Sequence, residues 1–102
     1  MSEHIGRNEI IDYLHSRKEH FRTAYGVKKL ALIGSFARDE AGADSDIDLL
    51  VDLEENTPNI YELKQGLKQE LEEWFHRLVE IASERYLKPY YRDPILREAI
   101  YV

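Results

Sequence analysis

The sequence predicts an α/β domain: a small mixed three-stranded sheet flanked by helices, in the order α-β-α-β-α-β-α. Three observations carry this reading. Apolar residues recur at three- and four-residue spacing near the start of the chain and again between residues 57 and 78. Between those stretches lie a short continuous apolar run and a largely alternating one, both of strand length. Gly and Pro stand at the joints.

The first helix is expected from Glu9 to Tyr25, with Ile10, Leu14, Phe21 and Tyr25 at turn spacing and Gly26 as its stop. Leu30 to Ile33 reads as a buried strand ending at Gly34, and Ser35 caps a short helical turn through Arg38. Asp39 to Ser45 is a polar loop. In the segment from Asp46 to Leu53, residues Ile47, Leu49, Val51 and Leu53 share one face of a strand. Asp46, Asp48, Leu50 and Asp52 share the other. Thr57 and Pro58 start a helix whose stripe is Ile60, Leu63, Leu67, Leu71, Trp74 and Leu78, which places Trp74 in the core. Gly66 weakens that helix by about 1 kcal/mol relative to Ala. Leu78 to Ala82 is the third strand, and Asp93-Pro94 caps a last helix through about Ile100.

The chain has 102 residues, 43% hydrophobic and 33% charged, the balance of one folded domain over residues 1–102. Its net charge is −6, which argues against general nucleic-acid binding, since that needs clustered Lys and Arg. There is no cysteine, so disulfides, thiolate zinc sites and a Cys nucleophile are excluded, and a reducing cytoplasm is the expected location. Residues Met1 to Asn8 carry no apolar run of signal-peptide length, and no stretch approaches the ~20 apolar residues of a membrane span.

Chemistry concentrates in two places. Gly34-Ser35 joins a strand to a helical turn, where Gly permits close approach of the backbone, unpaired N–H groups face outward and Ser35 adds a hydroxyl. A phosphate fits such a bend, although a bare Gly-Ser pair is also an ordinary turn. Asp46 and Asp48 leave one face of a strand with Cα atoms roughly 6.5–7 Å apart. Their oxygens can converge on hard cations ~3.5–4 Å apart, and Mg²⁺ favours one or two carboxylates plus substrate phosphates. Simple solvation of an exposed strand is the bland alternative, but Asp is unfavourable in strands and three on one face repel. A calcium loop is a further reading, because Asp44, Asp46, Asp48, Asp52 and Glu55 fall at positions 1, 3, 5, 9 and 12 of that pattern. It requires Gly at position 6, where this chain has Leu49 inside an apolar run.

Gly34-Ser35, ten residues, then Asp46-x-Asp48 resembles the signature of the nucleotidyltransferase superfamily that includes DNA polymerase beta. The stretch from Gly34 to Val51, about 18 residues with Ser-Asp-Ile-Asp-Leu-Leu-Val at its end, is most similar to the minimal nucleotidyltransferase (MNT) group. The resemblance implies a nucleotidyltransferase fold with Gly34 and Ser35 on the triphosphate of ATP. Asp46 and Asp48 would hold two Mg²⁺ ions, and Glu80, where the family more often has Asp, would be the third ligand and catalytic carboxylate. It further implies a phosphate contact for Arg38. Asp39 stands where the family often has Gly. The reaction implied is attack of a hydroxyl on the α-phosphate with loss of pyrophosphate.

About 100 residues supply little more than a nucleotide half-site. The acceptor is therefore expected on another chain or across a homo-oligomer. The MNT resemblance implies the antitoxin of a toxin–antitoxin pair, transferring AMP to a tyrosine of a HEPN-type toxin. Two other functions are weighed: neutralising a toxin by binding alone, to which the small size, acidic surface and Tyr-rich tail point, and modifying a small-molecule hydroxyl with the same catalytic residues. His4, His15, His20 and His76 show no metal spacing and read as surface residues. Tyr86, Tyr90 and Tyr91 with Lys88, Pro89 and Arg92 form an aromatic, basic patch suited either to packing or to partner docking. Glu54, Glu55, Glu70, Glu72 and Glu73 read as solvated faces.

Overall fold

A computed structural model describes residues 5–102; residues 1–4, with His4 and the start of the segment screened for a signal peptide, lie outside the described residues. The elements are α1 (Arg7–Ser16), α2 (Lys18–Tyr25), β1 (Val27–Ile33), α3 (Gly34–Ala37), β2 (Ile47–Leu53), α4 (Ile60–Phe75), β3 (Val79–Ala82), α5 (Pro89–Glu98) and β4 (Ile100–Tyr101). A single 3₁₀ turn, Glu84–Tyr86, precedes α5. The strands form one mixed sheet in the order β3-β2-β1-β4. β1 is antiparallel to β2 and β4, and β2 is parallel to β3. The fourth strand was not expected. It is only two residues long, too short to alternate, and Ile100 had the spacing of a helix end.

The alternation of β2 sorts the two faces as its sequence dictates. Ile47, Leu49, Val51 and Leu53 join Leu30 and Leu32 in the main core beneath α1, α2 and α4, with Ile10, Leu14, Phe21, Leu67, Leu71 and Phe75. Leu50 points the other way and packs with Ala31 and Ile33 against Leu87 and against Ile95, Leu96 and Ala99 at the end of α5. Each fully buried Leu, Ile or Phe contributes about 1.5–3 kcal/mol, so the helical layer carries most of the stability. Asp52 on the second face is also buried. It accepts the Glu84 N–H at 3.1 Å and faces Arg85 at 3.8 Å, so its role is structural.

Several boundaries differ from the sequence reading for local reasons. The expected first helix is two helices, because Ser16-Arg17-Lys18 offers no apolar anchor between Leu14 and Phe21 and the Ser16 hydroxyl bonds back to the Tyr13 carbonyl at 2.8 Å. β1 begins at Val27, three residues early, with a bulge between Val27 and Lys29 that leaves Lys28 and Lys29 exposed. Thr57 bonds the Glu54 carbonyl and does not cap α4, whose N-cap is Asn59 in the left-handed region (φ 57°, ψ 40°). At its far end His76 (φ 54°) stops α4, so Leu78 falls beyond the stripe and is exposed. Trp74, expected in the core, is 59% exposed and lies flat on Tyr13 with ring centres 4.5 Å apart. α5 starts one turn before Asp93-Pro94, at Pro89, whose missing N–H costs nothing in a first turn. Among the described residues no helix is long and apolar enough to cross a membrane.

One polar network ties α2 to α4. Glu70 accepts the Tyr25 hydroxyl at 2.6 Å, lies 3.0 and 3.1 Å from His20 Nε2, and faces Arg17 at 3.7 Å. Partial burial pushes the Glu70 carboxyl up, but the hydrogen bonds from Tyr25 and His20 and the charge of Arg17 outweigh it and hold the group below the usual range. Burial, then the bond to Glu70, pushes the Tyr25 phenol up to about 12. The expectation that Glu70 is a merely solvated helix face is thus corrected. Glu70→Ala should cost about 1–3 kcal/mol in urea unfolding at pH 7. Glu73→Ala, one turn along and hydrogen-bonded to Gln69 at an exposed position, should stay within about 0.5 kcal/mol. Because the Glu70 carboxyl is depressed, its contribution is present above the ordinary carboxylate pKa. The difference between the two variants should shrink as pH falls through the lower, folded-state value.

Candidate active site

The site begins where β1 runs out. Gly34 follows Ile33 with φ +76°, a left-handed value that suits glycine. A Cβ placed there would sit inside the Asp48 carboxylate and only 3.0 Å from the Asp48 Cβ. The bend and the second aspartate are therefore in contact. The cause is strand register: Ile33 pairs with Asp48 across β1 and β2, and Asp48 pairs with Glu80 across β2 and β3. Three sequence-distant positions, 34, 48 and 80, are brought side by side at one end of the sheet. Asp46, one residue before β2, adds a fourth. Ser35 is half-buried at the start of α3, whose Phe36 and Ala37 are anchored in the core.

The charges at this end are lopsided. Burial, then the neighbouring Asp46 and Glu80 carboxylates, pushes the Asp48 carboxyl above the ordinary range, and Arg38 opposes the shift. Glu80 is solvent-exposed, so a longer side chain in place of Asp has room to move. Arg38 donates to Glu98 at 2.8 Å and to Glu40 at 2.9 Å. Asp39 follows in the left-handed region (φ 60°), the conformation a glycine would adopt most easily.

Two residues that the sequence reading passed over complete the surroundings. Arg77, after α4, donates to the Ala43 carbonyl at 2.8 Å and the Ser45 carbonyl at 2.7 Å, and its guanidinium lies 5.2 Å from the centre of the Phe36 ring. It thereby fastens the loop that delivers Asp46 to the turn that follows Gly34. Glu98, the last residue of α5, accepts the Gly34 N–H at 3.2 Å as well as the Arg38 guanidinium. Neither belongs to a local motif; only the folded topology places them here. A hollow of about 590 Å³ on the helical layer, lined by Tyr13, Arg17, Glu70 and Trp74 among others, shares no lining residue with the acidic end. Chemistry outranks concavity here: of the two carboxylates lining the hollow, Glu70 is ion-paired and Glu73 bonds Gln69, whereas at the acidic end Asp46 and Glu80 crowd Asp48. Among the described residues no three His, Asp or Glu side chains converge closely enough to hold a metal ion unaided. The acidic end is an open carboxylate set.

Comparisons with known proteins place the chain in the family that its Gly-Ser and Asp-x-Asp spacing resembles. Residues 14–102 match the nucleotidyltransferase domain family, to which the chain belongs. The chain is 35% identical to the protein adenylyltransferase MntA of Thermococcus cleftensis over 94 residues, covering 92% of this chain and 93% of that one. A Methanocaldococcus jannaschii protein likewise described as a protein adenylyltransferase is 32% identical over 96 residues, covering 93% and 96%. Among solved structures, a minimal nucleotidyltransferase superposes with a TM-score of 0.73 at 36% identity, covering 97% of this chain and 98% of the other. A toxin–antitoxin structure with AMP-PNP shares the fold, with a TM-score of 0.64 at 20% identity over 95% of this chain and 72% of that one. The protein is thus an enzyme of the nucleotidyltransferase class, of the minimal kind that the spacing of Gly34, Asp46 and Asp48 suggested.

Two stability measurements check the geometry. Gly34→Ala should destabilise by about 1–3 kcal/mol, read by chemical unfolding, because a methyl group meets Asp48 on a strained backbone. Asp48→Asn should raise the melting temperature at pH 7 without divalent cations. The sign follows from the raised carboxyl: ionisation is harder in the folded state, so it costs stability at neutral pH. That cost, and with it the advantage of Asn, should fade as pH falls through the raised value towards the ordinary carboxylate range.

Proposed function

We propose that the chain is a Mg²⁺-dependent protein adenylyltransferase that transfers AMP from ATP to a tyrosine of a HEPN-type toxin, and so acts as an antitoxin in the cytoplasm. The observation that carries the reading is the contact of Gly34 with Asp48, which puts a phosphate-sized bend and a cation-seeking carboxylate within reach of one nucleotide. Support for the acceptor comes from the activity named for the Thermococcus cleftensis relative and from the toxin–antitoxin proteins that share the fold.

Each residue has a role that follows from its place. The main chain at Gly34 and the Ser35 hydroxyl donate to phosphate oxygens. Arg38 supplies the positive charge on that side. Asp46, Asp48 and Glu80 are the donors that would hold two Mg²⁺ together with the phosphates. The fit rests on the donor set: hard oxygens, left open, with Asp48 raised by burial and then by its acidic neighbours, and Arg38 the cation that opposes the shift. When bound, the ions lower the pKa of the attacking hydroxyl and neutralise the leaving group. Glu80, the exposed member, takes the proton as the acceptor oxygen bonds to the α-phosphorus and the bond from that phosphorus to the pyrophosphate oxygen breaks. The residues mainly position the reactants and supply preorganised charge.

The test is incubation with Mg²⁺, ATP labelled in the α-phosphate and the protein encoded beside this one. Label should move to a tyrosine of that protein. Asp48→Asn should slow transfer by about 10²–10³-fold, roughly 3–4 kcal/mol of barrier, as expected for losing a group that acts on transition-state charge. Equal labelling by wild type and the variant would remove the aspartates from catalysis. Neutralisation by binding alone is favoured by one feature, the exposed Tyr86, Tyr90 and Tyr91 beside Arg92. It predicts that Asp46→Ala plus Asp48→Ala still suppresses the toxin while transferring no label.

A further inference from the structure

Glu98 occupies an unexpected position. The ladder between β1 and β4 pairs Ala31 with Tyr101 and Leu32 with Ile100. Carried two steps further, the same register sets Glu98 opposite Gly34. The end of α5 is held there by Ile95, Leu96 and Ala99 packing on Ala31, Ile33 and Leu50. The carboxylate takes the Gly34 N–H on one oxygen, at 3.2 Å, and the Arg38 guanidinium on the other, at 2.8 Å. One main-chain N–H plus one guanidinium, both facing a single anion, is a donor set that suits phosphate oxygens equally well. In the free chain, two of the donors assigned above to the nucleotide are already bound to an internal anion. Glu98 also adds to the negative charge around Asp48.

We propose that Glu98 is a built-in competitor for the nucleotide's phosphates: it neutralises the Gly34–Arg38 donors in the free enzyme, is displaced when the nucleotide binds, and sets the nucleotide affinity. This rests on the reading that those donors bind phosphate. A carboxylate carries one charge and two oxygens. A metal-bound triphosphate, with more charge and more oxygens, outcompetes it; a single terminal phosphate has little advantage over it. Glu98 therefore biases the site towards polyphosphates and, by returning to its donors, favours release of pyrophosphate. The opposing account makes Glu98 a clamp that only fastens α5 and β4 to β1. The two accounts predict opposite signs for affinity when the charge is removed.

The experiment is calorimetric titration of Mg²⁺ and ATP into wild type, Glu98→Gln, Glu98→Ala and, as a control, Glu40→Gln. Glu40 also pairs with Arg38 but makes no bond to Gly34. If the Glu98 contact leaves about 10–20% of molecules open, its removal tightens binding about 5–10-fold. Both Glu98 variants should show this gain, and Glu40→Gln should change affinity less than about twofold. Unchanged or weaker binding in Glu98→Gln, or an equal gain in Glu40→Gln, overturns the proposal, the first outcome in favour of the clamp and the second in favour of general charge removal. A wild-type measurement needs no variant to fold. In nitrogen-15 spectra, the amides of Gly34, Ala99 and Ile100 should shift together at one ATP midpoint. Saturation that moves Gly34 and leaves Ala99 and Ile100 still overturns displacement. Absence of ATP binding in wild type and every variant defeats the nucleotide reading itself, and that result is distinct from tight, variant-independent binding.

Discussion

The antiparallel register of β1 on β2 is the constraint on which the site depends. Once Ile33 lies across from Asp48, Gly34 has no room for a side chain and the bend must close over a carboxylate. A slip of one residue would turn Asp46 and Asp48 into the main core and expose Ile47, Leu49 and Val51. The buried leucines and valine of β2 therefore fix the chemistry as firmly as they fix the fold. The parallel pairing with β3 extends the constraint by setting Glu80 beside Asp48.

Like charges at one edge of a small sheet are a standing cost, and the structure keeps it local. Asp52, on the same face, is neutralised by the Glu84 N–H and Arg85 and belongs to the scaffold. Among the described residues Asp46, Asp48 and Glu80 have no such partners, and burial followed by the neighbouring carboxylates raises the Asp48 carboxyl. The contrast sets a paired, structural Asp52 apart from the unpaired Asp48 on the same strand. It also gives the helical layer its role, since the burial on that side offsets the repulsion at the acidic end.

What could be read from the sequence was whatever local spacing encodes. Alternation over Asp46–Leu53 assigned both faces of β2 correctly, and Gly-Ser followed by Asp-x-Asp pointed to the family. Properties set between distant segments could not be read. β4 is two residues long and has no period of its own, so α5 was given a wrong end and Glu98 was never considered. Arg77 is a lone cation between a helix and a strand, and its partners lie more than thirty residues away in the loop before β2. Trp74 and Leu78 had the right spacing for a buried stripe, but His76 ended the helix and the indole came to lie on the outer side of Tyr13.

The surface stack of Trp74 on Tyr13 carries a practical consequence. The chain contains one tryptophan, and it reports on the seam between α1 and α4, on the layer opposite α5. Its fluorescence is thus an intrinsic gauge of whether that layer is assembled. Ligands that fill the acidic end should leave the emission nearly silent, so a spectral change on mixing with another macromolecule would signal engagement of the helical flank.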